Sequence, residues 1–500
     1  MTMLDTAESG RPLRKGFASA SPLPLAGTLA ALHARDALAA GGASALVGSP
    51  YGAIAPVNDI STGLPLLQLP AGFAYKSYGW RGDIMNDGKN CPGGHDGMGV
   101  VQSRKVGRAT ELVLVRNHEV GGTGPGNFIH APGVYDGGTT NAGTVNQFGG
   151  GTTNLIFRDG NWAGMMPSLG GTQGNCAGGI TPWGTWLSCE EVGSDAVGTA
   201  GKRHGYVFEV AADPALTDGQ PIVGMGRFAH EAAAVDAATG IVYMTEDSAG
   251  KSGFYRYVPD IRPGARGTLA MGGVLQMARV QGVSNANLAK VARDVRLTLE
   301  WVDIADPDRA RGDATGINGE TVSNAAGPFV QGWTQGALRM NRGEGIWYAD
   351  GKMVVMDTAG GAVARGTIWE LELATQTMRC IYASPGALVR SMGDNLTVSP
   401  RNAILVCEDG ASAAIDSFGF GQRLMGLTAQ GDAYIFAKNH VLLNQVQLAV
   451  AGKQTYLAGD HRGNAFAGAC FDPTGRYLFV NLQTPGITFA ITGPWAKGPL

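Results

Sequence analysis

The chain has 500 residues, 44% of them hydrophobic, and a formal net charge of -3. That balance lacks the basic excess of a nucleic-acid binder, and no stretch reaches the roughly 20 apolar residues needed to span a bilayer. Its 78 glycines exceed the ordinary share of about 7%, but strongly apolar runs interrupt them, which fits tight turns in an all-β protein better than disorder.

Residues 1–50 read as an export leader or a disordered tail. Arg11, Arg14 and Lys15 precede an apolar stretch from Leu23 to Leu32, and Ala43-Ser44-Ala45 has the form of a signal-peptidase site. Pro22 and Pro24 break up the start of that stretch and His33 and Arg35 cut it short, and Arg14-Lys15-Gly16-Phe17 is a degenerate twin-arginine motif. The leader reading places the protein in the periplasm or outside the cell; the other reading is a cytoplasmic tail. Residues 51–500 read as one domain.

Along that domain six short apolar runs end in carboxylates or amides. Leu112 to Arg116 leads to Asn117, His118 and Glu119. Thr185 to Ser188 leads to Cys189, Glu190 and Glu191, and Ile241 to Thr245 to Glu246 and Asp247. Met353 to Met356 leads to Asp357, Ile404 to Val406 to Cys407, Glu408 and Asp409, and Leu478 to Val480 to Asn481. Aromatic strands such as Gly253 to Val258 and Gly366 to Leu371 follow them, alternating as half-buried antiparallel strands do. The spacing, roughly 70 residues, exceeds the 40–45 of a WD40 blade, so insertions are expected. One occupies residues 260–340, with a helix predicted over Asn285 to Asp294 and a polar stretch from Arg309 to Asn324. The pattern predicts an all-β, six-bladed β-propeller with inserted helices and loops, each acid-ended strand innermost in its blade.

Strand ends that converge on one axis bring their carboxylates together, and such a ring needs cations. The acids in question are Glu119, Glu190, Glu191, Glu246, Asp247, Glu344, Glu408 and Asp409. The alternative for each is a turn cap that accepts backbone N–H within its own blade. The six cysteines form no CxxC pair, which argues against a zinc ribbon. Several are expected to be plain buried thiols.

Several motifs, taken in order, resemble the PhoX-type alkaline phosphatases and their shorter bacterial relatives. They are Arg116-Asn117-His118-Glu119, the run from Asn175 to Glu191, His230-Glu231, Thr245-Glu246-Asp247, Arg342-Gly343-Glu344-Gly345, Asp394-Asn395-Leu396-Thr397 with Cys407-Glu408-Asp409, and Gly475 to Gln483. The resemblance spans roughly residues 60–490. It implies a six-bladed propeller whose channel holds two Fe3+ ions and calcium, with a cysteine ligand to iron. It also implies hydrolysis of phosphate monoesters, sometimes diesters, and export by the twin-arginine route.

Carried onto this chain, the resemblance makes Cys176 the iron ligand, with Cys189 the second choice; a thiolate suits iron better than calcium. Glu246 and Glu344 become bridging carboxylates, with Glu119, Glu190, Glu191, Glu408 and Asp409 completing the metal set. Arg342 becomes the phosphate anchor, because its fork can grip two oxygens at once. Two residues before Glu344, it would share that residue's face on an extended strand. Ala465 departs from the family pattern, standing where relatives carry an acid. His95 and His118 read as structural.

The expected partner is a small phosphate ester acted on by a monomer, with no nucleic acid. Competing readings are a calcium-dependent lactonase or esterase, and a non-catalytic, calcium-stabilised binding propeller. Iron beside calcium separates the first reading from these two.

Overall fold

The computed structural model describes residues 44–124, 131–141, 144–195, 197–198, 201–386, 389, 392–410 and 415–500. Residues 1–43, most of the expected leader, lie outside the described residues. Residues 44–50 join the folded domain rather than forming a tail. Val47 N donates to Ala433 O, and Ala433 N donates to Ala45 O, each at 2.9 Å.

The regular structure of the described chain is almost wholly antiparallel strand. One sheet runs His95–Val106, Ala109–His118, Gly150–Arg158 and Asn161–Thr172. The next runs Asn175–Ile180, Thr185–Glu190 and Val207–Ala211. A third begins His230–Val235, Val242–Glu246 and Phe254–Pro259, and a fourth begins Gly343–Ala349, Lys352–Asp357 and Thr367–Glu372. Strand Arg296–Asp303 pairs on one side with Gly273–Val280 and on the other with Thr377–Ala383, which fuses these two into one nine-stranded sheet. The fifth begins Gly393–Val398 and Ile404–Glu408, the sixth Phe466–Phe471 and Tyr477–Leu482.

The first strands of these sheets touch in cyclic order. His95–Val106 lies against Asn175–Ile180, then come His230–Val235, Gly343–Ala349, Gly393–Val398 and Phe466–Phe471, and the last returns to the first. Early strands complete late sheets. Pro65–Pro70 pairs with Ala433–Asn439, and Ala74–Tyr78 pairs with Ile487–Thr492.

The acid-ended strands are therefore second in their sheets, not innermost as the sequence suggested. The reason is steric. Inner strands approach so closely that a Cβ on Gly97 would lie 2.5 Å from Ala177 Cα, and one on Gly179 would lie 1.8 Å from Ala233 O. Runs of Val, Ile, Leu and Met do not fit there. They pack between sheets instead, where Leu114, Leu187, Met244, Val355, Val406 and Val480 are fully buried.

The predicted helix at Asn285 to Asp294 is absent. Asn285 and Asp294 take φ of +53° and +70°, left-handed values that a right-handed helix excludes. The helix in this insertion is Gly327–Thr334, with Pro328 in its first turn, where the missing N–H costs nothing. A second helix, Gln445–Val450, is closed by a capping box between Asn444 and Gln447. No described helix is long and apolar enough to cross a membrane.

Candidate metal centre

All six inner strands carry the same irregularity near their first residue. His95 faces His118 and Met98 faces Arg116; Asn175 faces Glu190 and Gly178 faces Ser188; His230 faces Glu246 and Ala233 faces Met244. Gly343 faces Asp357 and Ile346 faces Val355; Gly393 faces Glu408 and Leu396 faces Val406; Ala467 faces Asn481 and Cys470 faces Phe479. Each inner strand thus advances three residues while its partner advances two. This is a β-bulge, a device that re-aims side chains.

The first bulged residue is Asp96, Cys176, Glu231, Glu344 and Asp394 in five strands, and Gly468 in the sixth. The five donors converge. Ligand atoms lie within 4.8 Å of one another in three overlapping groups: Asp96, Glu119 and Cys176; Cys176, Glu191 and Glu231; Glu231, Glu344 and Asp394.

The second strands supply the rest through ordinary alternation. In three of them the residue facing the bulge turns into its own sheet and the next residue turns to the central acids. Glu190 accepts from Gln173 N at 2.8 Å, Gly205 N at 2.7 Å and Tyr206 N at 3.2 Å, and pairs with His204 Nδ1 at 2.6 Å. Glu246 accepts from Gly253 N at 2.9 Å and the Tyr255 hydroxyl at 2.8 Å. Glu408 holds Arg423 in a two-point pair at 2.7 and 2.8 Å. These three expected ligands thus meet other partners, Glu246, the expected bridging carboxylate, among them. Their neighbours Glu191, Asp247 and Asp409, with Glu119, interact with the central acids.

Of the sequence-derived set, the structure brings together Cys176, Glu119, Glu191 and Glu344, with Asp409 at the exposed edge. It adds Asp96, Glu231 and Asp394, and gives Asp247 a place in the site. The missed acids did carry a signal: each opens a run of small or short residues, as in Asp96-Gly97, Glu231-Ala232-Ala233-Ala234 and Asp394-Asn395. Ala465 lies outside the six bulge positions, so the site's gap falls at Gly468. Cys189 packs among Leu187, Val207 and Met225, away from any donor group. His95 and His118 are structural as read, bonded at 2.9 Å to Pro92 O and Gly93 O respectively.

Arg342 is the cation in direct contact with this centre among the described residues. Its Nε and Nη2 each meet an Asp247 oxygen at 2.8 Å, and Nη2 lies 3.1 Å from Glu344 Oε1. Its φ of +68° shows that it precedes the regular strand, so it shares the site with Glu344 through a turn rather than through strand alternation. Asp247 is the chief reason its guanidinium holds its proton even more tightly than usual.

The protein's own groups do not neutralise this cluster. Burial lifts the Asp96, Glu231 and Glu344 carboxyls well above the usual range, and neighbouring carboxylates lift them further. Burial, then the Asp409 charge, pushes Glu119 and Asp394 up to about 7; burial, then Asp247, pushes Glu191 to about 9. The Cys176 thiol is pushed up by burial, then by Asp96 and Glu231. Asp96 Oδ1 is buried with no hydrogen-bond partner, a costly state unless something else meets it. Bound cations invert this logic. The donor set fits them: many oxygens for a hard ion, and one thiolate for a softer one.

The profile described as Alkaline phosphatase PhoX matches residues 49–168 and 141–486. The structure is similar to Pseudomonas fluorescens PhoX solved in complex with vanadate, a transition state analogue. That likeness has a TM-score of 0.58 and 16% identity, over 88% of this chain and 98% of that chain. An oligogalacturonate lyase in complex with manganese aligns at a TM-score of 0.32 and 10% identity over 81% of this chain and 99% of its own, too distant to bear on function. No curated protein matches the chain significantly. The profile covers nearly the whole described domain, and the chain belongs to the alkaline phosphatase PhoX family of phosphatases.

Proposed function

We propose that the protein hydrolyses phosphate monoesters at a mixed iron and calcium centre in the channel of a six-bladed β-propeller. The observation that carries this is the repeated bulge, which aims five donors from equivalent positions of separate strands at one point. Cys176, Asp96 and Glu119 form the natural iron pocket, and Glu191, Glu231, Glu344 and Asp394 form the more oxygen-rich one. Bound there, the cations would neutralise phosphate charge and supply an activated oxygen.

The chain's own residues then orient the ester. Arg342 is fixed by Asp247 through Nε and Nη2, which leaves Nη1 without a described partner to donate to a phosphate oxygen. That rigid placement is worth most in the transition state, where charge has spread onto the oxygens. Behind the cluster lies a cavity of about 20 Å³ lined by Gly97, Ala177, Gly345, Asn395 and Gly468. That is room for about one water. A phosphate ester must therefore approach from the side of Arg342 and Asp409.

A calcium-only lactonase would have no use for Cys176 in the donor group. Elemental analysis with p-nitrophenyl phosphate turnover tests the proposal. Iron with calcium and turnover is expected; calcium alone with no turnover would overturn it. Export to the periplasm as a monomer completes the proposal. Fractionated cells and sedimentation of the purified protein test it, and a cytoplasmic pool alone would remove the leader.

A further inference from the structure

Two cations, Lys251 and Arg311, have no carboxylate at ion-pair distance from their side chains among the described residues. Lys251 Nζ donates to Ser323 O at 2.9 Å and to Asn324 O at 2.7 Å. Arg311 Nη2 donates to the same Asn324 oxygen, and its Nε reaches Asn324 Oδ1 at 3.1 Å. One neutral oxygen is thus shared by two positive charges. Asn324 presents it from a φ of +51°, a conformation uncommon for a residue with a side chain. Neither cation is in an ion pair among the described residues. The acids nearby act on them through space without contact: Asp313 accepts from Asn324 N at 2.9 Å, and Glu246, bound to Gly253 N and Tyr255, attracts both cations.

Both cations belong to, or bond to, the segments of chain that lead out of the central acids. Lys251 is four residues past Asp247, and four residues span at most about 14 Å. The turn there is compact, because Lys251 N donates to Ser248 O at 3.2 Å. The adjoining Ser252 hydroxyl accepts from Gly343 N at 2.9 Å, next to Arg342. Arg311 N donates at 2.9 Å to Asp195, four residues past Glu191. Both cations are half-buried, so a ligand can reach them while screening stays partial.

We propose that Lys251 and Arg311 form an anion subsite for the alcohol half of the substrate, favouring phosphomonoesters that carry a second phosphate on that half. This rests on the phosphatase reading. An anion between the two side chains relieves their mutual repulsion and receives charge-assisted hydrogen bonds from both. Arg342 and the central donors hold the phosphate that is cleaved.

The test compares fructose 1,6-bisphosphate, fructose 6-phosphate and p-nitrophenyl phosphate in the metal-loaded protein. Wild type should favour the bisphosphate, and the ratio of its kcat/KM to that of p-nitrophenyl phosphate should fall about tenfold in Lys251→Met/Arg311→Met. Raised salt should shrink the preference in wild type and leave the variant flat. An equal fall on all three esters, or no preference in wild type, would overturn the subsite. If wild type turns over none of them, the phosphatase reading fails instead. Calorimetry then decides the subsite: tighter bisphosphate than monophosphate binding in wild type alone supports it, and equal binding in both proteins removes it.

Discussion

Glu190 and Glu191 are adjacent in the chain and serve opposite purposes. Glu190 is fully buried within its sheet, gripping His204 at 2.6 Å and the backbone N–H of Gly205 at 2.7 Å. Glu191 turns the other way and joins Cys176 and Glu231 in a donor group. The same division separates Glu246 from Asp247 and Glu408 from Asp409. A strand end can therefore deliver a carboxylate to the centre and anchor its own turn with the preceding one.

This division predicts distinct phenotypes. Glu191→Gln should lose bound metal and activity while keeping the melting temperature of the stripped protein. Glu190→Gln should lower stability by about 1–3 kcal/mol, because buried donors lose their charged acceptor, and should lose metal only as the fold loosens. Denaturant titration of stripped protein beside elemental analysis separates the two, and the reverse pattern would refute the assignment.

The two cysteines should part in the same way. Cys176→Ala should lose the softer metal and its colour. Cys189→Ala removes a buried sulfur from an apolar cluster and should leave metal content intact. Full iron and colour in Cys176→Ala would exclude a thiolate ligand at this site.

Arg342→Lys should not restore function, since lysine cannot reproduce the two-point contact with Asp247 while facing a phosphate. The loss should be about 2–4 kcal/mol, roughly 30- to 1,000-fold in kcat, with metal content unchanged. An Arg342→Lys enzyme at wild-type rate would remove the guanidinium from the mechanism.

Protonation should set stability in opposite senses with and without metal. In the stripped protein Glu119 and Asp394 are raised to about 7 and Glu191 to about 9. The folded state then binds more protons than the unfolded one above the usual carboxylate pKa, so stability falls as pH rises from about 5 to 9. Metal needs these ligands deprotonated, so its stabilising effect grows over the same window. Melting temperatures with and without chelator should diverge as pH rises; parallel curves would contradict a carboxylate-held centre.

The inner strands tolerate no added volume where they meet. Gly179→Val would place Cβ against Ala233 O and should block folding or cost several kcal/mol. The same change at Gly107, a turn with open space around it, should cost only the strain of its positive φ. Equal melting temperatures for the two variants would show that the ring can relax.

Much of this was legible in the sequence because two signals survive translation into residues. The apolar run followed by carboxylates or an amide marked the strand beside each of the six inner strands, and the cysteine and Arg342 stood inside motifs. The innermost strands were not legible as strands. Asn175-Cys176-Ala177-Gly178-Gly179 has almost no apolar surface to create a period of two, since its constraint is closeness to the next backbone. A bulge also breaks the alternation that would identify Asp96, Glu231 and Asp394 as facing one centre. Helix Gly327–Thr334 escaped for the opposite reason: Gly-Pro at its start reads as a turn.

The pairing of Ala74–Tyr78 with Ile487–Thr492 sets an order of events during synthesis. A nascent chain that has already produced every donor from Asp96 to Asp409 still lacks the partner that seats its own early strand. Until the final strands leave the ribosome, the last gap between neighbouring sheets stays open and the donors are not held at a common distance. On the proposed metal-centre reading, ion loading would be a late step, and the surroundings in which the last strands arrive would decide which ions the finished centre contains.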